Sequence, residues 1–365
     1  MARFKLKDLS TNKLEYGSGA SACEYDGKTR YVRITDIDND GQLGRNVVSP
    51  NYIDEKYILN DGDVLFARTG ATVGKAYRYK PSDGRCMYGG FLIKATPNPE
   101  LIRADYLYYF TKSPQYKSFV QRSMKVVAQP NINAKQYGNL ELEVPPLSKQ
   151  DEIVNKLSKT NLIINNRKLE LIKMDELVKA RFVELFGDPI SNSKNLETKS
   201  LNEIMILKAG DFTAASAISD TLTETHRYPC YGGNGIRGFV AEYNQEGEYS
   251  LIGRQGALSG NVQYAKGRFK NTEHALLVTP KIQMNSIWLN QLLINLELKR
   301  FQTGAAQPGL SVKNLQDIPI ITVSIEKQNR FADFVAKIDK SKATVRRSLD
   351  ENQKLFDGLM QQYFG

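Results

Sequence analysis

The spacing of apolar residues divides the chain into four segments. Across residues 5–146 they come in short runs, such as Tyr31-Val32-Arg33-Ile34, Asp63-Val64-Leu65-Phe66 and Phe91-Leu92-Ile93-Lys94, punctuated by Gly, Asn, Asp and Pro. Runs of this length between turn residues predict strands. One stretch differs: within residues 104–123, Tyr106, Leu107, Tyr109, Phe110, Tyr116 and Phe119 fall near helical spacing, which predicts a helix that Pro114 restarts as a second piece.

A new pattern begins after Pro145-Pro146-Leu147. Ser148 is a predicted N-cap with Asp151 in the capping-box position, and neither proline nor glycine appears again before Gly187. Leu157, Ile164, Leu171, Val178 and Leu185 fall seven apart, supported by Ile153, Met174 and Phe182. Together they predict one helix of about 38 residues, roughly 57 Å long at 1.5 Å per residue, which Gly187-Asp188-Pro189 stops. The plan then recurs. Residues 199–323 are again β-like, with a helix over residues 287–301, and Ile325–Phe364 is again amphipathic. Val335, Leu349, Phe356 and Tyr363 share one heptad position there, and Ile338, Val345 and Leu359 the neighbouring one. Two such seams can bury each other as an intramolecular coiled coil, or each helix can cap its own domain. Lengths far above the usual 11 to 12 residues favour the coiled coil and a spacer role.

The recurrence extends to the residues themselves. With an offset of 178 and no gap, the 60 residues 128–187 match 306–365 at eleven identical positions: Ala128, Gln129, Pro130, Lys135, Lys149, Gln150, Lys159, Leu171, Leu177, Phe186 and Gly187 return as Ala306, Gln307, Pro308, Lys313, Lys327, Gln328, Lys337, Leu349, Leu355, Phe364 and Gly365. Chance would supply about four. Upstream, the stretch Asp61-Gly62-Asp63 through Arg68-Thr69-Gly70 resembles Glu246-Gly247-Glu248 through Arg254-Gln255-Gly256, with one inserted residue. A period this long indicates a duplicated domain and an approximate internal two-fold.

Charge narrows the partners. Fifty Lys and Arg against 40 Asp and Glu give a net charge of +10, a field that favours polyanions, nucleic acid first among them. Three isolated cysteines, Cys23, Cys86 and Cys230, form neither a CxxC metal pair nor a disulfide framework, and read as reduced, buried thiols. With a polar start at Met1-Ala2-Arg3 and no run of 18 apolar residues, the expectation is a soluble cytoplasmic protein with no membrane contact.

Catalytic signatures fail one by one. Gly70-Ala71-Thr72-Val73-Gly74-Lys75 has three residues between its glycines where a P-loop has four, and Ala76 replaces the magnesium-binding Ser or Thr. Gly233-Asn234-Gly235-Ile236-Arg237-Gly238 fits a dinucleotide fingerprint literally. However, Tyr228-Pro229-Cys230-Tyr231 is a poor parallel strand, and Phe239-Val240-Ala241 continues as strand where a phosphate-binding helix is needed. The two histidines, His226 and His274, lack metal-ligand spacing, and Asp61 with Asp63 reads as turn chemistry. No Asn-Pro-Pro-aromatic motif of a methyltransferase is present. The expectation is no catalytic residue, no metal and no cofactor in this chain.

At this point the chain resembles the specificity subunit of type I restriction-modification enzymes. The resemblance spans the whole length and rests on Leu65-Phe66-Ala67-Arg68-Thr69-Gly70-Ala71-Thr72-Val73-Gly74-Lys75, on Pro145-Pro146-Leu147-Ser148-Lys149-Gln150, on Phe186-Gly187-Asp188-Pro189 and on Tyr228-Pro229-Cys230-Tyr231-Gly232-Gly233-Asn234-Gly235-Ile236. The second half departs from it, with Val323-Ser324-Ile325 for the double proline and Ile252-Gly253-Arg254-Gln255-Gly256 for the Phe-Ala-Arg-Thr-Gly form. What the resemblance implies is an α+β fold with a pseudo-two-fold repeat. Two β-rich target-recognition domains, residues 1–146 and 188–323, would be separated by two long antiparallel spacer helices, residues 147–187 and 324–365. It implies a non-catalytic subunit that reads a bipartite site in double-stranded DNA, one half per domain, with the helices setting the unread spacer. Its partners would be two modification subunits, which use S-adenosylmethionine to methylate adenine, and two ATP- and Mg-dependent restriction subunits. The rival readings are a stand-alone methyltransferase or nuclease with a divergent site, and a coiled-coil scaffold for proteins.

A base reader needs donors and acceptors on a loop held by a rigid scaffold. Arg68, Thr69, Lys75, Tyr77 and Arg78 form one such set; Arg254, Gln255, Ser259, Asn261 and Gln263 form the other, joined by Tyr231, Asn234 and Arg237 of the Tyr231–Arg237 turn. The Arg-x-Gly core common to both suits a shared feature such as phosphate or scaffold. Thr69 against Gln255 and Lys75 against Asn261 differ between halves, and so suit base readout. Gln129 and Gln307 suit a backbone turn or an adenine contact, and Tyr106, Tyr108 and Tyr109 suit packing.

Overall fold

The computed structural model describes residues 2–124, 131–256, 258–304 and 309–365. The repeated Ala128-Gln129-Pro130 and Ala306-Gln307-Pro308 lie outside the described residues. The chain divides into two compact units, Met1–Arg167 with Ser348–Gly365, and Lys168–Arg347. Its principal strands are β1 Glu15–Tyr16, β2 Val64–Ala67, β3 Ala76–Arg78, β4 Leu92–Ala95, β5 Met205–Ala209, β6 Tyr228–Gly232, β7 Gly235–Val240, β8 Gln245–Gly253, β9 Val262–Asn271 and β10 Ala275–Pro280. The principal helices are α1 Ala104–Phe110, α2 Pro114–Met124, α3 Leu147–Phe186, α4 Ser286–Asn295 and α5 Ile325–Phe364.

In the first unit four strands form an antiparallel sheet in the order β1-β4-β2-β3. Every residue of β2 and β4 is buried, which is why β2 reads as a continuous apolar run; in β4 Lys94 is buried too, with its ammonium 3.7 Å from Glu15 and 3.9 Å from Asp63. Val64, Phe66, Ile93 and Ala95 face one core with α1 and α2, while Leu65, Ala67 and Leu92 face a second with Tyr77, Tyr79 and Tyr88. Pro114 starts α2 as expected, and Tyr106, Tyr108 and Tyr109 are packed side chains.

The second unit repeats this sheet and extends it. Its order is β5-β10-β8-β9-β6-β7, whose first four strands reproduce the topology of the first unit. The remaining two form a hairpin, and β6 runs parallel to the end of β9 at Cys230 and Tyr231. Tyr228-Pro229-Cys230-Tyr231 is thus a strand chiefly through its antiparallel hairpin, and as a parallel strand it pairs over two residues only, in keeping with its reading as a poor parallel strand. The literal glycine fingerprint is the turn of that hairpin, with Gly232 opposite Gly235 and strand on both sides.

Each unit takes part of both long helices. In the first, Ile153 and Leu157 of α3 share a core with Met360 and Phe364 of α5, whose terminal ring lies 5.1 Å from Tyr106. In the second, Phe182 and Phe186 lie 5.1 Å apart and meet Phe331 and the single tryptophan, Trp288, at 5.5 to 6.4 Å. There Phe182 meets Phe331 and Asp175 meets Lys342, so the helices run antiparallel. Two positions differ from the predicted seam. Leu185 is exposed and Phe186 is buried in its place, because the last turns keep a four-residue spacing. Lys342 fills the heptad position between Val335 and Leu349; its side chain is 9% exposed and its ammonium bonds the Asp175 carboxylate at 2.6 Å. A buried polar group at such a position favours one register over its alternatives.

The repeated Lys-Gln pair has a structural cause. Gln150 is fully buried; its amide donates to the carbonyls of Leu101 and Pro145 and accepts from the Arg103 amide at 2.8 Å. Gln328 does the same in the other unit, donating to Val323 and accepting from Asn285 at 2.8 Å. Each glutamine thus ties a long helix to the loop that precedes the unit's α1 or α4. Asp151 follows the same logic, since Arg103 engages its carboxylate at 2.8 and 3.1 Å in place of a helix cap and holds it below its ordinary pKa. Of the cysteines, Cys86 and Cys230 are buried, but Cys23 is exposed.

Candidate nucleic-acid interface

The Arg-x-Gly segments are the loops between β2 and β3 in the first unit and between β8 and β9 in the second, and their backbones are hydrogen-bonded alike. After β2, Gly74 donates to Ala67 at 3.0 Å, Val73 to Gly70 at 3.2 Å and Lys75 to Thr72 at 3.0 Å. After β8, Gly260 donates to Gly253 at 2.8 Å, Ser259 to Gly256 at 3.0 Å and Asn261 to Leu258 at 3.1 Å. Each loop needs glycine twice, because Gly70 and Gly74 have φ of 68° and 83°, and Gly256 and Gly260 have 80° and 86°. A Cβ on Gly260 would also lie 2.6 Å from the Lys299 backbone nitrogen.

The arginines are clamped by the strand next door. Arg68 donates its backbone N–H to Phe91 at 3.1 Å and accepts from Ile132 at 2.9 Å; Arg254 donates to His274 at 2.9 Å and accepts from Leu310 at 2.8 Å. Their side chains differ. The Arg68 guanidinium stacks over the exposed Tyr16 ring at 4.8 Å and donates to the Asn131 side chain at 3.3 Å. That of Arg254 donates to the Glu273 carbonyl at 3.3 Å.

In the second unit the loop borders a cleft of about 400 Å³, lined by Gly233, Asn234, Arg237, Gln255, Gly256, Leu258 and His274. Asn261 reaches it through a bond to Asn234 at 3.1 Å. Arg237 and Asn234 are exposed at the hairpin turn. This groups five of the expected second-half residues, Arg254, Gln255, Asn234, Arg237 and Asn261. Gln263 lies half-buried beneath Gly235, and Tyr231 is half-buried edge-on against Phe269 at 5.5 Å.

Other expected residues point elsewhere. Tyr77 is buried and donates to Asp83, and burial pushes its phenol far above its ordinary pKa, so it is a core residue with no route to a base edge. Ser259 is fully buried beneath its own loop. Arg78 is held by Asp61 at 3.1 Å and Asp105 at 3.4 Å, a neutralised structural group. Lys75 turns back to the Ile37 carbonyl at 3.1 Å. Asp63 is buried in its turn, accepting from Asn60 and Thr96. Tyr16, Phe91, Asn131, Glu273, Leu258 and His274 also surround the loops, and none of them is a DNA-contact candidate by sequence. Phe91 carried a signal, a large apolar residue after Gly89-Gly90 and just ahead of a buried strand; it is 62% exposed.

The family model for the type I restriction modification DNA specificity domain matches residues 2–174 and 193–351. The chain belongs to that family. Over 141 residues it is 45% identical to the specificity subunit of the type I restriction enzyme EcoprrI of Escherichia coli, a match covering 39% of this chain and 35% of that protein. It is 22% identical over 150 residues to the specificity subunit of the type I restriction enzyme MjaVIII of Methanocaldococcus jannaschii, covering 41% and 34%. The matched stretch thus spans about a third of each curated relative. Among solved structures, the type I restriction-modification S subunit from M. genitalium aligns over all of this chain and 96% of its own with a TM-score of 0.65 at 18% identity. A structure described by complex assembly and conformational transition of the type I R-M system aligns over all of this chain and 97% of its own, with a TM-score of 0.55 at 17% identity. At these identities the likeness establishes the fold: two repeated α+β units with long paired helices. Among the described residues no group of three or more His, Cys, Asp or Glu could hold a metal ion, and no helix is long and apolar enough to cross a membrane.

Proposed function

We propose that this chain is the DNA-reading, non-catalytic specificity subunit of a type I restriction-modification complex. The observation that carries the reading is the doubled loop: two arginines on one backbone frame, in two units of a specificity-family chain whose net charge is +10. Identical frames suit a feature present at both half-sites, and phosphate is that feature. The side chains around each frame differ, so the two half-sites differ. Modification subunits, two per chain, would supply S-adenosylmethionine and methylate adenine in a bipartite duplex site, and two restriction subunits would supply ATP- and Mg-dependent cleavage. The complex would act in the cytoplasm.

The test is methylation mapping of the chain co-assembled with its modification subunits. A two-part motif is expected, absent when either component is omitted. Methylation or cleavage by the isolated chain would overturn the reading. In the complex, Arg68→Ala or Arg254→Ala is expected to weaken binding to all duplexes alike and to lower the slope of log K against log salt by about one contact. A loss of roughly 1 to 3 kcal/mol at a single base pair would move that arginine to base readout.

A further inference from the structure

We infer that Phe91 and His274 occupy one equivalent specificity-determining position in the two units, a position that rests on the DNA-reading function proposed above. The sheet register makes them equivalent. Ala67 pairs with Leu92 and Gly253 with Ala275, so the residue following β2 or β8, the arginine, lies beside the residue preceding β4 or β10. Each arginine donates its backbone N–H to that neighbour's carbonyl, at 3.1 Å for Phe91 and 2.9 Å for His274. The arginine is the same in both units and the neighbour is not. A shared anchor with an unlike neighbour is the arrangement that separates a common phosphate contact from a differing base contact.

The side chains suit different bases. Phe91 is 62% exposed, which a core role does not explain, and its ring offers only apolar contact; in a major groove the matching feature is the thymine methyl. His274 works through Gln255. Its Nδ1 lies 2.9 Å from the Gln255 amide oxygen and its Nε2 lies 3.0 Å from the Glu273 carboxylate. With Glu273 holding the Nε2 proton, Nδ1 either accepts from the Gln255 amide NH2 or, in the charged ring, donates to its oxygen. In both states His274 occupies one N–H or one lone pair of the amide and so fixes its orientation, leaving one donor and one acceptor for the cleft. A glutamine held in that way is suited to adenine, whose N6 and N7 present a donor and an acceptor. His274 is therefore a positioning residue for Gln255, and Phe91 a direct reader.

The experiment compares Phe91→Ala, His274→Ala and His274→Phe in the complex with modification subunits, using binding selection from a randomised duplex together with methylation mapping. Phe91→Ala is expected to lose about five- to 150-fold of discrimination at one position of one half-site and nothing in the other. His274→Ala is expected to do the same in the opposite half-site. His274→Phe is expected to shift that position toward thymine. All three are expected to keep the wild-type salt slope, which a phosphate contact would not. An unchanged motif, or an even loss over all sequences, overturns the inference. A wild-type complex with no bipartite motif overturns the underlying function instead, before any variant is compared.

Discussion

The two units share a frame and differ in what they hang on it. The sheet order, the pair of left-handed glycines, the arginine between two backbone clamps and the buried glutamine at the start of a long helix recur in both. Around that frame the first unit places Tyr16, Thr69, Asn131 and Phe91, and the second places Gln255, Glu273, His274 and a two-stranded hairpin. A duplicated domain can diverge in this way because a backbone hydrogen bond is indifferent to side-chain identity, whereas contact with a base edge depends on it entirely. Shared residues therefore mark the scaffold, and unlike residues on shared backbone are the ones to which the proposed reading role falls.

The largest test of this parallel is to damage one unit alone. Phe182 is fully buried among three aromatic rings of the second unit, so Phe182→Ala is expected to cost about 3 to 5 kcal/mol. If the units open separately, alkylation of buried Cys230 accelerates while that of Cys86 in the first unit does not; equal acceleration would show that they unfold together. A smaller effect is expected from Gln150→Ala and Gln328→Ala, each leaving buried backbone groups unpaired at about 1 to 3 kcal/mol. Thermal unfolding is expected to show losses of similar size, and a large inequality would mean that the repeated glutamines are not equivalent brackets. Smaller again is Lys342→Met, which replaces a buried ammonium paired with an exposed carboxylate by an apolar side chain and is expected to change stability by no more than about 1 kcal/mol. A loss of several kcal/mol would assign the lysine a stabilising role beyond setting register.

The smallest effect separates the thiols by pH. Burial pushes the Cys86 thiol up to about 11 and raises that of Cys230, while Cys23 is exposed. At pH 8 the native chain is expected to consume one equivalent of a thiol reagent rapidly, and three after unfolding. Cys86 keeps its proton in the fold at a pH where the unfolded chain releases it. Its contribution to stability is thus complete below pH 9 and is lost as the pH rises toward about 11. Mass spectrometry of the labelled peptides checks the assignment; early labelling of Cys86 would contradict it.

Much of the architecture was legible in the chain. Helix α5 spans the amphipathic stretch Ile325–Phe364, and α3 lies within a residue of the predicted stop at Gly187, because long amphipathic periods and a glycine-proline terminus are local signals. The Arg-x-Gly loops were legible for the same reason, since two left-handed positions demand glycine at fixed spacing. Where local signals are silent, packing decides: Tyr77, Arg78 and Ser259 are polar residues beside a loop, with nothing local to say that they turn inward.

Alone, the sequence determined the duplication, the order of β-rich segments and long helices, the basic charge and the two arginine loops, since each rests on neighbours within a few residues or on self-similarity. Only the tertiary structure decided which side chains stand beside those arginines. Phe91 follows Arg68 by 23 residues and His274 follows Arg254 by 20, and the antiparallel register of β2 with β4 and of β8 with β10 makes them neighbours. Register is a property of two strands and of the core that both bury, so no single stretch of sequence contains it.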